Sequence, residues 1–319
     1  MSLHYAFNGD ADGLCALQQL RLADPAPATL VTGVKRDIEL LRRVDASAGD
    51  TVVALDVSLD RNRADLERLL RGGARVRYFD HHFAGDVPAH PRFEPHIDVS
   101  DEVWTSLLVD RHLGGRYRAW AIVAAFGDGL PAIGRAMAAA SGRDADATAT
   151  MERIGVGLNY NAYGDAVTDL HFDPADLAEQ MLPFADPTDF ARASPAYPRL
   201  QAGYEDDMRK ARAVAPVLVA NGARTYVLPN AAWARRSTGS LANEFARAHP
   251  DCALAILTPK AGGGFVASVR VPSSGPMPAD EFCRGFETGG GRKLAAGVNH
   301  IADADVDRFT GAFQATYST

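Results

Sequence analysis

The run Thr51-Val-Val-Ala-Leu-Asp56 constrains this chain more than any other stretch. Its apolar residues follow one another without polar alternation, so neither face is left for water, as in strands of parallel sheets covered by helices on both sides. The run ends abruptly in an acid. Arg75-Val-Arg-Tyr-Phe-Asp80-His81-His82 is a second strand pattern, alternating and aromatic, that delivers one carboxylate and two adjacent imidazoles. His4-Tyr-Ala-Phe7 is a third, running into Asn8-Gly-Asp10-Ala-Asp12-Gly13 and then an apolar-periodic helix over Leu14–Leu20. A further strand is expected over Ala28–Val34, a helix over Ile38–Val44, and an amphipathic helix over Asn62–Leu70 that ends at Gly72-Gly73. The series is β-α-β-α, which predicts a doubly wound, mostly parallel sheet.

In such sheets the C-terminal strand ends form the ligand crevice. Asp10, Asp12, Asp56, Asp80, His81 and His82 are therefore expected to converge. Asp10 and Asp12, two residues apart, can aim their oxygens into one small volume, where like charges need a cation between them. Read alone, Asp-Ala-Asp-Gly is also an ordinary turn and helix N-cap, and Asp-His-His is also a polar surface turn. Three strand ends agreeing favours a shared site. Neighbouring histidines on a leaving loop can point to different sides, one toward a metal and the other toward a ligand held there.

Further along, Asp101–His112 starts a helix with acidic and hydroxyl residues near its first turn, and Ala119–Phe126 is an apolar helix closed by Gly127-Asp128-Gly129. Asp128 sits in a glycine-flanked turn from which it can reach the site, although simple turn chemistry explains it equally well. Ala136–Ala149 reads as helix around a loop at Gly142. Pro183–Pro198 carries four prolines and little periodicity, the composition of a linker. Leu200–Ala215 has the mixed charges of a solvated helix. The expected division is a catalytic domain over 1–185, linker and connecting helix over 186–215, and a smaller α/β domain over 216–319. In that last part Ala213–Ala220, Thr225–Leu228, Cys252–Leu257 and Gly264–Val271 read as strands, and Gly239–Arg247 and Ala279–Phe286 as helices. Thr288-Gly-Gly-Gly291-Arg292-Lys293 combines free backbone N–H groups with cations at an expected helix start, which makes an anion cradle with Arg270 from a nearby strand. Glycine-rich turns with solvated cations are also common.

Composition sets limits. The net charge of −7 speaks against a surface that coats nucleic acid. From Pro216 onward there are 10 Lys+Arg and 8 Asp+Glu, a net of +2, so the front part carries −7 − 2 = −9. That division suits cations at one site and an anionic substrate reaching across from the other. The 3 cysteines are far apart and form neither a disulfide framework nor a zinc spacing. No run has the apolar length of a membrane span, and the N-terminus lacks a signal-peptide layout. A cytoplasmic location without membrane partners is expected.

In order and spacing, Asp10-Ala-Asp12-Gly, Asp56 after its apolar strand, Asp80-His81-His82 and Gly127-Asp128 resemble the four motifs of the DHH phosphoesterase family. Gly289-Gly-Gly-Arg-Lys-Leu-Ala-Ala-Gly297 resembles the GGG…AAG signature of that family's associated C-terminal domain. The resemblance implies a Mn2+-dependent hydrolase (with Mg2+ or Co2+ as substitutes) whose active site lies in the cleft between two domains. It implies that Asp56 bridges two ions, that Asp10 serves the first, and that Asp12, His81 and Asp128 serve the second. Asp80 would orient His81, and His82 would contact the scissile phosphate. Arg270, Arg292 and the Gly289, Gly290 and Gly291 backbone would hold a terminal phosphate. Two positions depart from the pattern: Asn8 stands where many members have a metal-binding histidine, and Arg292 replaces the histidine after the glycines. The length matches stand-alone members that act on small nucleotides or short single-stranded oligonucleotides, with a homodimer among the expected assemblies. RecJ-like single-strand exonuclease activity, and a nucleotide-binding or regulatory protein with a degraded metal site, are the alternatives.

Overall fold

The computed structural model describes residues 1–318 and divides into two compact units, Met1–Ala202 and Gly203–Thr319. The first unit holds strands β1 (Leu3–Phe7), β2 (Thr29–Val31), β3 (Thr51–Leu55), β4 (Arg75–Asp80) and β5 (Phe93–Ile97) in one sheet of order β2-β1-β3-β4-β5, every pair parallel. Its helices are α1 (Ala11–Ala23), α2 (Leu59–Arg71), α3 (Thr105–His112), α4 (Arg118–Gly127), α5 (Pro131–Ala140), α6 (Ala145–Asn161), α7 (Pro174–Met181) and α8 (Pro187–Ala193), followed by α9 (Ala196–Arg212), inside which the division falls.

Strand periodicity divides the core between two faces. Tyr5, Phe7, Val53, Leu55 and Phe79 pack with Leu14 and Leu17 of α1 and Ile122 and Val123 of α4. Ala6, Val52, Ala54, Val76 and Tyr78 face the other way, against Leu66, Leu69 and Leu70 of α2. The doubly wound parallel sheet is therefore as expected, and the uninterrupted apolarity of β3 follows from its central place with helices on both faces.

Several local expectations change. The helix expected over Ile38–Val44 is a single 3₁₀ turn, Leu40–Arg43. Strand β5 carries Pro95, a residue that argues against a central strand but is tolerated at the sheet edge where β5 lies. The proline-rich stretch 183–198 is helical rather than linker-like. Pro187 occupies the first turn of α8, where no N–H is missed, Asp186 Oδ1 accepts from the Thr188 N–H at 2.8 Å, and Phe190 is fully buried with its ring 6.1 Å from Trp120.

The second unit contains β6 (Leu218–Ala220), β7 (Ala223–Val227), α10 (Ala232–Ala248), β8 (Ala253–Pro259), β9 (Phe265–Arg270), α11 (Ala279–Arg284), β10 (Gly289–Arg292), β11 (Ala295–Ile301) and α12 (Val306–Tyr317). Its sheet runs β10-β11-β9-β8-β7-β6 and is mixed: β7 and β8 are parallel, the other neighbours antiparallel. One face packs on α11 and α12 through Phe282, Phe309 and Phe313, the other on α10 through Leu241 and Phe245. Among the described residues no helix is long and apolar enough to cross a membrane.

Candidate metal centre

Three parallel strands of the first unit end flush. Phe7 pairs with Leu55 and Leu55 with Phe79, so the next residues, Asn8, Asp56 and Asp80, stand in a row along the C-terminal edge of the sheet. The strand order reverses between β1 and β3, the place where open α/β sheets take their ligands.

Asp56 has φ +59°, and no other non-glycine residue among those described has a positive φ. That conformation costs roughly 1–2 kcal/mol for a residue with a Cβ. It is held by the Asp56 N–H donating to the Phe79 carbonyl at 3.0 Å. Thr105 Oγ1 donates to Asp56 Oδ1 at 3.1 Å. Asp12 is fully buried, and its two oxygens accept the Thr105 and Ser106 N–H groups at 2.7 and 2.6 Å. These are free donors of the first turn of α3, aimed at an anion. Asp10 Oδ1 caps α1 by accepting from the Asp12 and Gly13 N–H groups at 3.0 and 3.2 Å, so the ordinary cap and the site role coexist in one carboxylate.

Asp128 follows α4 as its C-cap. Gly127 places it, because a Cβ there would lie 2.3 Å from Ala11 Cβ, so α4 closes onto the start of α1 only with glycine at that point. His81 donates through Nδ1 to the Val103 carbonyl at 2.8 Å. This fixes Nδ1 as a donor and turns Nε2 toward the carboxylates, where a metal ion can take the place of the Nε2 proton, the usual arrangement of a metal-binding histidine. That Nε2 lies 3.5 Å from Asp56 Oδ1 and 3.9 Å from both Asp12 Oδ2 and Asp128 Oδ2. His82 is paired through Nδ1 with Asp80 Oδ1 at 2.7 Å. Asp80 therefore holds His82, not His81, and the expected pairing is corrected: the carbonyl of Val103 orients His81.

The electrostatics record the crowding. Burial, then repulsion from Asp56, Asp128 and Asp10, holds the Asp12 carboxyl well above the usual range. Burial and the Asp10 charge push Asp56 up to about 7, and burial likewise raises Asp128. Asp10 moves the other way: burial opposes its ionisation, but the Lys35 ammonium outweighs it. Burial also disfavours charge on His82, yet its bond to Asp80 and the Asp56 charge prevail and raise it to about 9.

The donor set suits one divalent cation. His81 Nε2 lies 3.5–3.9 Å from one oxygen each of Asp12, Asp56 and Asp128, near the separation of atoms sharing one ion with bonds of about 2.1 Å, and it belongs to two overlapping donor groups, one with Asp12 and Asp128 and one with Asp56 and His82. Mixed oxygen and nitrogen ligands favour Mn2+ or Mg2+ over thiolate-loving metals.

Lys35, Asn159, Thr105 and Ser106 escape sequence reasoning. Lys35 Nζ pairs with Asp10 Oδ2 and donates to Asn159 Oδ1 at 3.0 Å. A signal existed only for Thr105 and Ser106, as hydroxyl residues at a helix start. Phe83, directly after His82, is 74% exposed. A separate cluster of Glu94, His96 and His112 lies at the surface, but the Arg77 guanidinium is 2.7 Å from His112 Nε2 and 3.5 Å from Glu94, so that cluster already has its cation.

In the second unit the glycine run is not a helix start. Gly289–Arg292 is edge strand β10, antiparallel to β11, and Gly291 has φ +143°, with a Cβ there meeting Ala296 Cα at 2.5 Å. The free N–H groups of a helix terminus are therefore absent from the Gly289, Gly290 and Gly291 backbone. Arg270 and Arg292 both stand opposite Ala295, from strands on either side of it, and so share a face of the sheet. Arg270 donates to Asn243 Oδ1 through Nε and Nη2 at 3.1 and 2.9 Å, and Arg292 is exposed.

No family model matches the sequence, and no curated protein matches it by sequence. Solved structures do. RecJ from Thermus thermophilus in complex with Mn2+ superposes with a TM-score of 0.64 at 19% identity, covering 98% of this chain and 51% of that one. The chain thus spans about half the length of that RecJ. A second structure of exonuclease RecJ, bound to manganese, gives 0.58 at 19% identity over 98% of this chain and 89% of the other. The pGpG-specific phosphodiesterase PggH from Vibrio cholerae gives 0.53 at 14% identity over 98% and 97%. The likeness is one of fold: a parallel-sheet α/β unit followed by a mixed-sheet unit.

Proposed function

We propose that this protein is a metal-dependent phosphoesterase that hydrolyses phosphate esters of small nucleotides or short oligonucleotides. The observation that carries the reading is the convergence of Asp12, Asp56, His81 and Asp128 at the switch point of the sheet, with both the His81 tautomer and the Asp12 oxygens fixed by backbone groups. Asp12, Asp56, His81 and Asp128 would hold the cation, Mn2+ in the first instance. When bound, it supplies positive charge against the phosphate and acidifies a water.

The chain's own groups do the rest. The bond to Asp80 favours the charged form of His82, so the half-exposed imidazolium would present Nε2–H as a hydrogen-bond donor to a phosphate oxygen and as a proton source for the leaving oxygen. Lys35 and the N-terminus of α3 hold Asp10 and Asp12 in place without moving parts. The exposed Phe83 ring beside His82 offers a stacking face, which favours a base-bearing ester over inorganic polyphosphate. Arg270 and Arg292 would contribute a guanidinium pair for a terminal phosphate. The net charge of −7 favours short substrates over long strands.

The test is turnover with and without Mn2+ on pAp, labelled RNA of two to five nucleotides, a cyclic dinucleotide and a long single strand. Hydrolysis of a short substrate that vanishes in chelator is the expected result. Preference for the long strand would place the protein with RecJ-like exonucleases instead. Absence of hydrolysis across the panel in folded protein would refute the phosphoesterase reading.

A further inference from the structure

Lys35 stands inside a site otherwise made of carboxylates and imidazoles. Its ammonium pairs with Asp10 Oδ2, donates to Asn159 Oδ1 at 3.0 Å, lies 4.0 Å from Asp128 Oδ1 and sits 5.8 Å from the centre of the Tyr163 ring. Its backbone is fixed on both sides: the Lys35 N–H donates to the Ala162 carbonyl at 2.9 Å, and its carbonyl accepts from Asn8 Nδ2 at 3.1 Å. Asn8 Oδ1 in turn accepts the Asp10 N–H at 3.2 Å. Both ends of the Asn8 amide are thus used to hold Lys35 and Asp10 together.

Both oxygens of Asp10 have protein partners. Its Oδ1 takes two backbone N–H groups and its Oδ2 takes the ammonium. Asp12, Asp56 and Asp128 differ: each turns one oxygen toward His81 Nε2 at 3.5–3.9 Å, and of the three only Asp128 comes near the ammonium, through its other oxygen at 4.0 Å. The site is therefore asymmetric, with one half arranged as ligands and the other half neutralised by a tethered cation.

We propose that the centre takes a single divalent ion, and that the Lys35 ammonium, locked by Asn8, stands in place of a second one. The inference rests on the phosphoesterase reading and deepens it. A tethered ammonium carries +1 instead of +2, cannot be stripped by chelators, and offers N–H donors to a phosphate oxygen. The departure at Asn8 is then one half of a matched pair: the residue that fails to donate to a metal instead anchors the cation that replaces it.

The experiment is Mn2+ stoichiometry on the full chain by equilibrium dialysis with elemental analysis, alongside the electron paramagnetic resonance spectrum of the bound ion. Wild type should bind one Mn2+ per chain with the six-line spectrum of an isolated ion, and Asp56→Asn should bind none. The double variant Asn8→His, Lys35→Ala, which restores a donor and removes the ammonium, should bind two and show spin coupling. Two ions in wild type with coupled spectra would overturn the role of Lys35 while leaving the phosphoesterase reading intact. No ion in wild type or the double variant, with near-ultraviolet circular dichroism showing folded protein, would overturn both. Should the double variant fail to fold, the wild-type count alone decides.

Discussion

Asp56 offers a perturbation whose direction can be worked out before any substrate is known. Raising its carboxyl from 3.8 to about 7 corresponds to up to about 4 kcal/mol against ionisation in the folded, metal-free protein. Because the folded value lies above the unfolded one, the stabilising contribution is present at low pH and is lost as pH rises through about 7. Asp56→Asn removes the charge, keeps an oxygen for the Thr105 hydroxyl, and tolerates φ +59° better than most residues. Even a quarter of the relieved cost, about 1 kcal/mol, raises the Tm of a domain of this size by about 2–4 °C. Asp56→Ala removes the same charge but keeps the backbone strain and strands the Thr105 hydroxyl, which together cost about 2 kcal/mol relative to Asn. In chelator at pH 8 the expected order of Tm is Asn above wild type, with Ala below Asn by about 4–8 °C, and the Asn gain should shrink toward pH 5. Both variants should lose Mn2+-dependent turnover by more than tenfold. Thermal unfolding followed by circular dichroism reads the order directly. An Asn variant no more stable than wild type at pH 8 would refute the crowding argument, and equal stability of Asn and Ala would refute the backbone argument.

Asp80→Asn removes the main partner that raises His82, so the alkaline limb of kcat should move to lower pH; an unmoved limb in the pH–rate profile would remove His82 as the proton donor. Phe83→Ala should raise KM for a nucleotide ester roughly 5- to 150-fold, the loss of one stacked base at about 1–3 kcal/mol, while leaving hydrolysis of a baseless phosphate ester unchanged. Gly127→Ala forces α4 away from Ala11 and should destabilise by about 1–3 kcal/mol. It should also weaken Mn2+ binding in calorimetry through displacement of Asp128, and unaltered affinity would show that the turn adapts.

What is legible in the sequence is whatever depends on consecutive residues. The apolar run of β3 announces a two-sided strand, and the acids after β1, β3 and β4 announce a shared edge, because strand ends in a parallel sheet are placed by register alone. Lys35 is not legible, since it lies in a loop and meets Asp10, Asn159 and Asp128 only through the fold. The family resemblance pairs Asp80 with His81. In the structure the side chain two residues away is the one within reach, while His81 turns to the Val103 carbonyl. The glycines of β10 look the same in sequence whether they open a helix or pair as an edge strand, and only their antiparallel register with Ala295–Val298 distinguishes the two.

The flush ending of β1, β3 and β4 has a consequence for how the centre comes into being. Parallel neighbours are joined by crossovers, so Phe7, Leu55 and Phe79 meet only after loops of more than twenty residues have closed. Asp128 arrives from farther still, on a helix that must first dock against α1. Proteins with such distant contacts fold slowly, and ligand atoms drawn from four separated segments cannot converge in a half-assembled chain. During refolding from denaturant, Mn2+ capture should therefore trail the recovery of helical signal, making the ion a clock for the last step of sheet assembly.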